Sequence, residues 1–393
     1  MSTADKNKCK RGISLKRVLI YMLELCKQLG YIDTYEENYH LGMPGYSDQS
    51  QFKAPYHITF NDGSEWIVYT TTSLRERIKE VYWDAENLKI INNNITEAYL
   101  VYPDSLSENE RHKFISKNVK IESRKEFSTL NALVSQDSFF NRIEAYALRG
   151  LNDGQIRNKK GKNFEKRIVA TLNNPSNLKK WITQDEALEG LHYKIFNEIL
   201  NSFELDHTKV KNINATSDKN FIGHLPSGGE AKTDVLVTIT DTNNSVEYFT
   251  ISCKRSSSNT VSVHQYSANT FSQVLDPTNL ELKRVLNEFQ KYGNKRDMKT
   301  NDVEILQNEI KKYILRLCQW AIGGIGGDGN PKTQWARYLM IYDNNLESVS
   351  IHKTDDYCEV LARDCSKTFG TPFSWTYQGT RGTNIQLKCQ INL

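Results

Sequence analysis

Apolar residues recur at helical spacing from Ser14 to Leu29, and Gly30 follows, a pattern that predicts an amphipathic helix with its stop. The next signal has a period of two. YHITFNDGSEWIVYTTTS alternates, turns at Asn-Asp-Gly and alternates again, as a β-hairpin does. LRERIKEVYWDAENLK reads as a helix, EAYLVYP as a short strand stopped by Pro103, and TLNALVSQDSFFNRIEAYALRG as one helix or two closed by Gly150. These elements predict a small α/β unit. LNDGQIRNKKGKN, rich in Gly, Asn and Lys, reads as the junction between two domains, residues 1–155 and 156–393. Beyond it, FEKRIVATLNN places Phe164, Ile168 and Leu172 on one helical face. Strands are predicted at Val235–Thr240, Tyr248–Cys253, Tyr338–Tyr342, Ser348–His352 and Asn384–Lys388, and long helices at Leu280–Phe289 and Asp302–Trp320. The mixture predicts an α/β fold throughout.

Length and composition narrow the class. The chain has 393 residues, long for one domain and comfortable for two. With 38% hydrophobic and 25% charged residues it reads as a soluble globular protein without a membrane span. The N-terminus lacks the apolar core of a secretory signal, and the seven cysteines are scattered, with no Cys-x-x-Cys pair. Both features predict a cytoplasmic protein with reduced thiols. The net charge of +4 is too small to demand a nucleic acid, but its distribution is informative. Gln155 to Trp181 holds eight Lys or Arg against one acid, Glu165, and neither Phe249–Leu275 nor Ser366–Leu393 contains an acid. Such stretches suit a surface that meets phosphates.

The chemistry centres on TDVLVTITDTNNSVEYFTISCKRSSS, from Thr233 to Ser258. Two β-type runs joined by the polar turn DTNN put Asp234 and Ser252–Lys254 at one end of a sheet. The side-chain period of two then sets Ser252 and Lys254 on one face and Cys253 on the other. A carboxylate, the backbone carbonyl of Cys253 and an ammonium would converge there. Phosphodiester hydrolysis uses that combination: a hard cation such as Mg²⁺ takes oxygen ligands, and a lysine orients water and offsets phosphoryl charge. Taken alone, an acid and a lysine at this spacing fit a capped strand end and a solvated lysine as well.

Four ordered blocks carry a wider resemblance: GKNFEKRIVATL, GGEAKTD, ISCKRSSSNTVSVHQY and FGTPFSWTYQGTRGTNIQLK. Together they resemble the type II restriction endonucleases of the PD-(D/E)XK superfamily, over the chain from about residue 158 to the end. The resemblance implies a mixed-sheet nuclease core behind an additional N-terminal α/β domain. It implies Mg²⁺-dependent double-strand cutting of DNA at a short, G·C-containing, CCGG-like site, with a cognate DNA methyltransferase as genetic partner and a monomer or dimer as the working form. Asp234 would be the metal ligand and Lys254 the lysine that positions the attacking water. Ser252 stands where the superfamily usually has an acid, and Glu165, on the first helix, could supply the missing negative charge directly or through water. The metal set is then Asp234, Glu165 and the Cys253 carbonyl.

The hydroxyl-rich loop after Lys254 and the last segment match family positions that meet DNA. Arg255, Ser256 and Ser257 would touch the backbone. Ser262 and Gln265 would reach into the duplex, and Thr376, Tyr377, Gln386 and Lys388 would contact DNA, with Lys388 a donor to guanine O6 and N7 and Gln386 able to donate and accept. Trp375 reads as a core aromatic. Residues 1–155 have no counterpart in the resemblance. Arg75, Arg77 and Lys79 after a threonine-rich strand end read as a phosphate clamp or, equally well, as a helix start with Ser73 as N-cap and a charged outer face. For the domain as a whole a DNA-binding or specificity-extending role is the best reading. Two rival functions remain open: a DNA-binding protein made inactive by Ser252, and an enzyme of RNA or single strands.

Overall fold

The computed structural model describes residues 3–48, 50–74, 78–104, 106–185, 188–256, 260–343, 348–377 and 379–390, without the side chains of 3–11 and 256. Its contacts divide the chain into two compact units. The first comprises Met1–Ile156 and Asn174–Tyr193; the second comprises Arg157–Asn173 and Lys194–Leu393.

The first unit runs α1 (Thr3–Gln28), β1 (Thr34–Leu41), β2 (Phe52–Thr59), β3 (Glu65–Thr70), α2 (Ile78–Ile91), β4 (Ile95–Tyr102), α3 (Glu108–Glu122), β5 (Ala132–Ser135) and α4 (Gln136–Ala147). Its five strands lie in sequence order. β1, β2 and β3 form an antiparallel meander, and β4 and β5 continue it in parallel with β3. The core packs Ile67, Leu88, Leu100, Ile121 and Leu133 from the sheet and its helices. The ALVS run, expected to be helical, is strand β5 instead. Its apolar residues are all buried, as in a strand covered on both faces, and such a run lacks the alternation that marks a half-exposed strand.

The stretch expected as a junction loop is helical. α5 (Asp153–Leu172) starts where Asn152 and Gln155 bond each other's amides, at 3.0 and 3.2 Å. That reciprocal cap, and the burial of Phe164, Ile168 and Leu172 to 1% exposure or less, outweigh the helix-weakening glycines 154 and 161. α6 (Pro175–Thr183) follows and is capped by Asn174.

The second unit continues with α7 (Tyr193–Ser202), β6 (Val210–Thr216), α8 (Lys219–Ile222), β7 (Val235–Asp241), β8 (Val246–Ser256), β9 (Thr260–Tyr266), α9 (Ala268–Leu275), α10 (Leu280–Tyr292), α11 (Thr300–Lys311) and α12 (Ile314–Gly323). It ends with β10 (Tyr338–Asp343), β11 (Ser348–Lys353), α13 (Thr354–Leu361), β12 (Ser374–Thr376) and β13 (Ile385–Gln390). The larger sheet has the order β11-β10-β8-β7-β6. β6, β7 and β8 are antiparallel, β10 is parallel to β8, and β11 returns antiparallel. The helix expected over Asp302–Trp320 is two, α11 and α12, separated at Lys312 and Tyr313, where the Tyr313 hydroxyl donates to Asp276 at 2.7 Å.

A second sheet, β12-β13-β9, completes this unit. Thr260–Tyr266, read from sequence as a loop, is its strand β9. Phe289, Phe369 and Trp375 seat this sheet on α10, each pair meeting nearly edge to face at 5.4–5.6 Å. Each such ring contributes roughly 1.5–3 kcal/mol by burial alone. Trp375 is a core residue, as expected, and its indole N–H donates to Thr371 at 3.0 Å.

Candidate active site

The β7–β8 pair fixes the chemistry. Asp234 precedes the first residue of β7, and its amide donates to the Ile251 carbonyl of β8 at 2.8 Å. Beyond that bond the two strands hold Asp234 against Ser252, Cys253 and Lys254. One carboxylate oxygen, Asp234 Oδ2, accepts from the Cys253 amide at 2.7 Å, from Ser252 Oγ at 3.2 Å and from Lys254 Nζ at 3.2 Å. Lys254 Nζ also donates to the Cys253 carbonyl at 3.1 Å. The ammonium therefore bridges the two oxygens that the sequence assigns to a metal.

Burial sets the electrostatics. The Lys254 and Asp234 side chains are 21% and 17% exposed. Burial, the largest single influence, pulls the Lys254 pKa down, but the Asp234 charge and hydrogen bond, with Cys253 and Glu165, together outweigh it and leave the group raised, so Lys254 stays cationic. Glu165 of α5 lies close enough to feel Asp234 and Lys254. Burial first, and then Asp234, push its carboxyl up to about 7. Burial also raises the Cys253 thiol, which stays protonated, so the oxygen this residue offers at the site is its carbonyl, which accepts from Lys254. Ser252 is fully buried and offers a hydroxyl, not a charge.

The donor set fits a hard cation. A carboxylate oxygen and a carbonyl oxygen already share one positive charge, and a second carboxyl lies beside them. Among the described residues no group of three or more His, Cys, Asp or Glu side chains is placed to hold a metal. The protein thus presents two carboxyls and a backbone oxygen, leaving room for water in the remaining positions of such an ion.

Sequence reading missed two lysines here. Lys219 of α8 acts electrostatically on Glu165 and Cys253. Lys232 stands two residues before Asp234 and donates to the Val263 carbonyl of β9, with its pKa pushed down to about 7 by burial and then by Lys254. The period-two spacing of Lys232 and Asp234 in GGEAKTD was the available signal.

The β12-β13-β9 sheet gathers most of the expected DNA-contacting residues into rows. Lys388 of β13 pairs with Ser262 of β9 on one side and Ser374 of β12 on the other. Gln386 pairs with Gln265 and Thr376 in the next row. Ser262, Gln265 and Lys388 are exposed, Thr376 and Tyr377 are half-buried, and Gln386 is buried at 7% exposure. Arg381 donates to the Tyr377 hydroxyl at 3.3 Å. Arg255 of β8 stacks its guanidinium 4.9 Å from the Tyr342 ring. Ser256 ends β8, while its side chain and Ser257, like Arg75 and Arg77, lie outside the described residues. His264 of β9 is buried between Trp320, Tyr266 and Phe271, and neither of its ring nitrogens has a partner among the described residues. Among the described residues no helix is long and apolar enough to cross a membrane.

The chain is similar to known proteins. A family model described as restriction endonuclease MspI matches residues 141–389. The type II restriction enzyme BsuFI of Bacillus subtilis is 30% identical over 378 residues, covering 93% of this chain and 92% of the relative. The type II restriction enzyme MspI of Moraxella sp is 25% identical over 244 residues, covering 60% of this chain and 91% of the relative. A crystal structure of restriction endonuclease MspI in complex with its cognate DNA matches the fold with a TM-score of 0.53 at 21% identity, over 64% of this chain and 98% of that one.

Proposed function

Because the chain belongs to the MspI family of type II restriction endonucleases, we propose that it makes Mg²⁺-dependent double-strand cuts at a short, CCGG-like DNA site. The observation that carries this reading is the Lys254 ammonium, shared between Asp234 Oδ2 and the Cys253 carbonyl. Asp234, the Cys253 carbonyl and Glu165 would hold the metal. When bound, the ion stabilises charge on the phosphoryl oxygens and makes a bound water more acidic. Lys254 remains protonated and acts as a donor, orienting the attacking water and offsetting charge on the attacked phosphate. Ser252 holds Asp234 in its rotamer through the hydroxyl. Lys388 and Ser262 read base edges from one row of the β12-β13-β9 sheet, and Gln265, with Gln386 and Thr376, from the next. Arg255, Ser256 and Ser257 meet the backbone, and Tyr377 supports Arg381. Residues 1–155 form an accessory DNA-binding or specificity domain, and residues 156–393 the endonuclease domain. A cognate methyltransferase protects the host, and the protein works in the cytoplasm.

Digestion of a sequenced genome with Mg²⁺, followed by mapping of the fragment ends, tests the proposal. Ends sharing one short motif, lost in Asp234→Ala, are expected; ends without a common motif overturn it. Ser252 favours one alternative, a sequence-specific DNA-binding protein that no longer cuts, because a hydroxyl replaces the usual second acid. Retained binding with no cutting by the unaltered protein would select that reading.

A further inference from the structure

The two units share a chain path. Each opens with a long helix, forms an antiparallel three-strand meander, crosses over through helical structure and adds a fourth strand parallel to the third. In the first unit these are β1-β2-β3 and β4; in the second, β6-β7-β8 and β10. By this path β2 corresponds to β7, which Asp234 precedes, and β3 corresponds to β8, which bears Lys254. The chemistry does not correspond. Gln51 stands immediately before β2 where Asp234 stands before β7, and Glu65–Ser73 contains no lysine. The strand end that carries the catalytic pair in one unit carries Thr70–Ser73 in the other, pinned where the Thr71 amide donates to the Val101 carbonyl at 2.9 Å.

Beside that end lies a basic groove. Leu74, three residues past Thr71, shares a cavity of about 360 Å³ with His112, Lys113, Ser116, Lys117 and Lys120 of α3. These α3 residues recur at helical spacing, so one face of the helix presents them. Glu126 pairs with Lys117 and, at 3.6 Å, with Lys120. Among the described residues Lys113 makes no ion pair, and the groove keeps a net positive charge. Phe114 and Ile121 anchor α3 to the core, leaving the basic face outward.

We infer that the first unit is a non-cleaving repeat of the nuclease topology that grips backbone phosphates of duplex DNA through the α3 groove. A rigid row of donors beside a hydroxyl-bearing loop suits a regularly spaced polyanion, and it contributes affinity without reading sequence. The inference rests on the reading of the chain as a duplex-cutting enzyme.

The full-length protein tests both separately. Binding is measured without divalent metal on a short duplex that just covers the cleavage site and on one several helical turns longer, for the unaltered protein and for Lys113→Glu/Lys120→Glu. The expected result is a roughly tenfold loss of affinity for the long duplex, with the slope of log K against log salt shallower by about 2. Cleavage of the short duplex should be unchanged, and Lys113→Arg/Lys120→Arg should bind like the unaltered protein. Equal affinity and slope for the glutamate variant and the unaltered protein on the long duplex overturn the inference, as does an arginine variant that binds as poorly as the glutamate one. Failure of the unaltered protein to cut the short duplex with Mg²⁺ overturns the underlying reading instead.

Discussion

Lys388 and Ser262 stand opposite each other across the β13–β9 pair, which brings a lysine near the chain end into one row with a serine beyond the catalytic strand. The ladder shifts by one residue between Leu387 and Lys388, and past this bulge Lys388 is exposed. A base-reading lysine needs that exposure. Lys388→Ala should therefore weaken cleavage of the preferred site by about 1–3 kcal/mol, roughly tenfold to a hundredfold, and relax discrimination at one base pair. Cleavage competition between the preferred site and its single-base variants measures this. A uniform loss across all sites would make Lys388 a phosphate contact.

The Asp234–Lys254 pair predicts equal losses of activity but unequal losses of stability. Asp234→Ala leaves an ammonium largely buried and removes the acceptor of three hydrogen bonds. It should cost about 1–3 kcal/mol of stability and abolish cutting. Lys254→Met removes the charge and fits the apolar strand better, so it should also abolish cutting while costing less stability. Urea melts and plasmid digestion separate the two; equal destabilisation by both variants would contradict the pairing described.

As a ligand of the proposed metal, Glu165 would link metal affinity to pH. Its carboxyl titrates near 7, above its ordinary value, so the metal-free protein carries a proton there at pH 6 and has largely lost it at pH 8. A cation needs the ionised form, so Mg²⁺ should bind more tightly as pH rises across that interval and release a proton at the lower end. Glu165→Gln should flatten the dependence. Calorimetric titration in two buffers of different ionisation enthalpy reads the proton directly.

His264 predicts a separate acid sensitivity. Burial, and then Lys232, push its pKa well below the ordinary value. Below about pH 6.5 the unfolded chain gains a proton at this residue that the folded chain does not take up, so stability is intact above that pH and falls as pH falls. Replacement by Phe keeps the aromatic contacts with Trp320 and Phe271 and removes the titration. The loss of melting temperature between pH 7 and 5 should then shrink. The unchanged loss in His264→Phe would assign acid sensitivity elsewhere.

The β7–β8 hairpin was legible because its two runs are adjacent in sequence and strand alternation alone sets which residues share an end. The β12-β13-β9 sheet was not. Thr260–Tyr266 is short and hydroxyl-rich, and its partner Ile385–Gln390 lies across five α-helices and three strands, a separation that no local pattern in the sequence spans. The helical junction was misread for a local reason: Asn152 and Gln155 form a cap whose value depends on the buried face that follows. ALVS escaped because a fully covered strand lacks periodicity. Of the two extra lysines near the site, Lys232 had a sequence signal in its spacing from Asp234, whereas Lys219 is set beside Glu165 only by tertiary proximity.

The chain passes from the first unit to the second at residue 156, returns at 174 and leaves again at 193. The returning stretch is stitched to its own unit by Ser14 with the Glu189 backbone, at 2.9 and 2.6 Å, and by Asp137 with His192 at 2.7 Å. A single nick cannot part such a molecule into self-sufficient halves. A fragment that stops at residue 156 lacks residues 174–193 of its own unit, so expressing the units apart requires that returning stretch to be supplied as well.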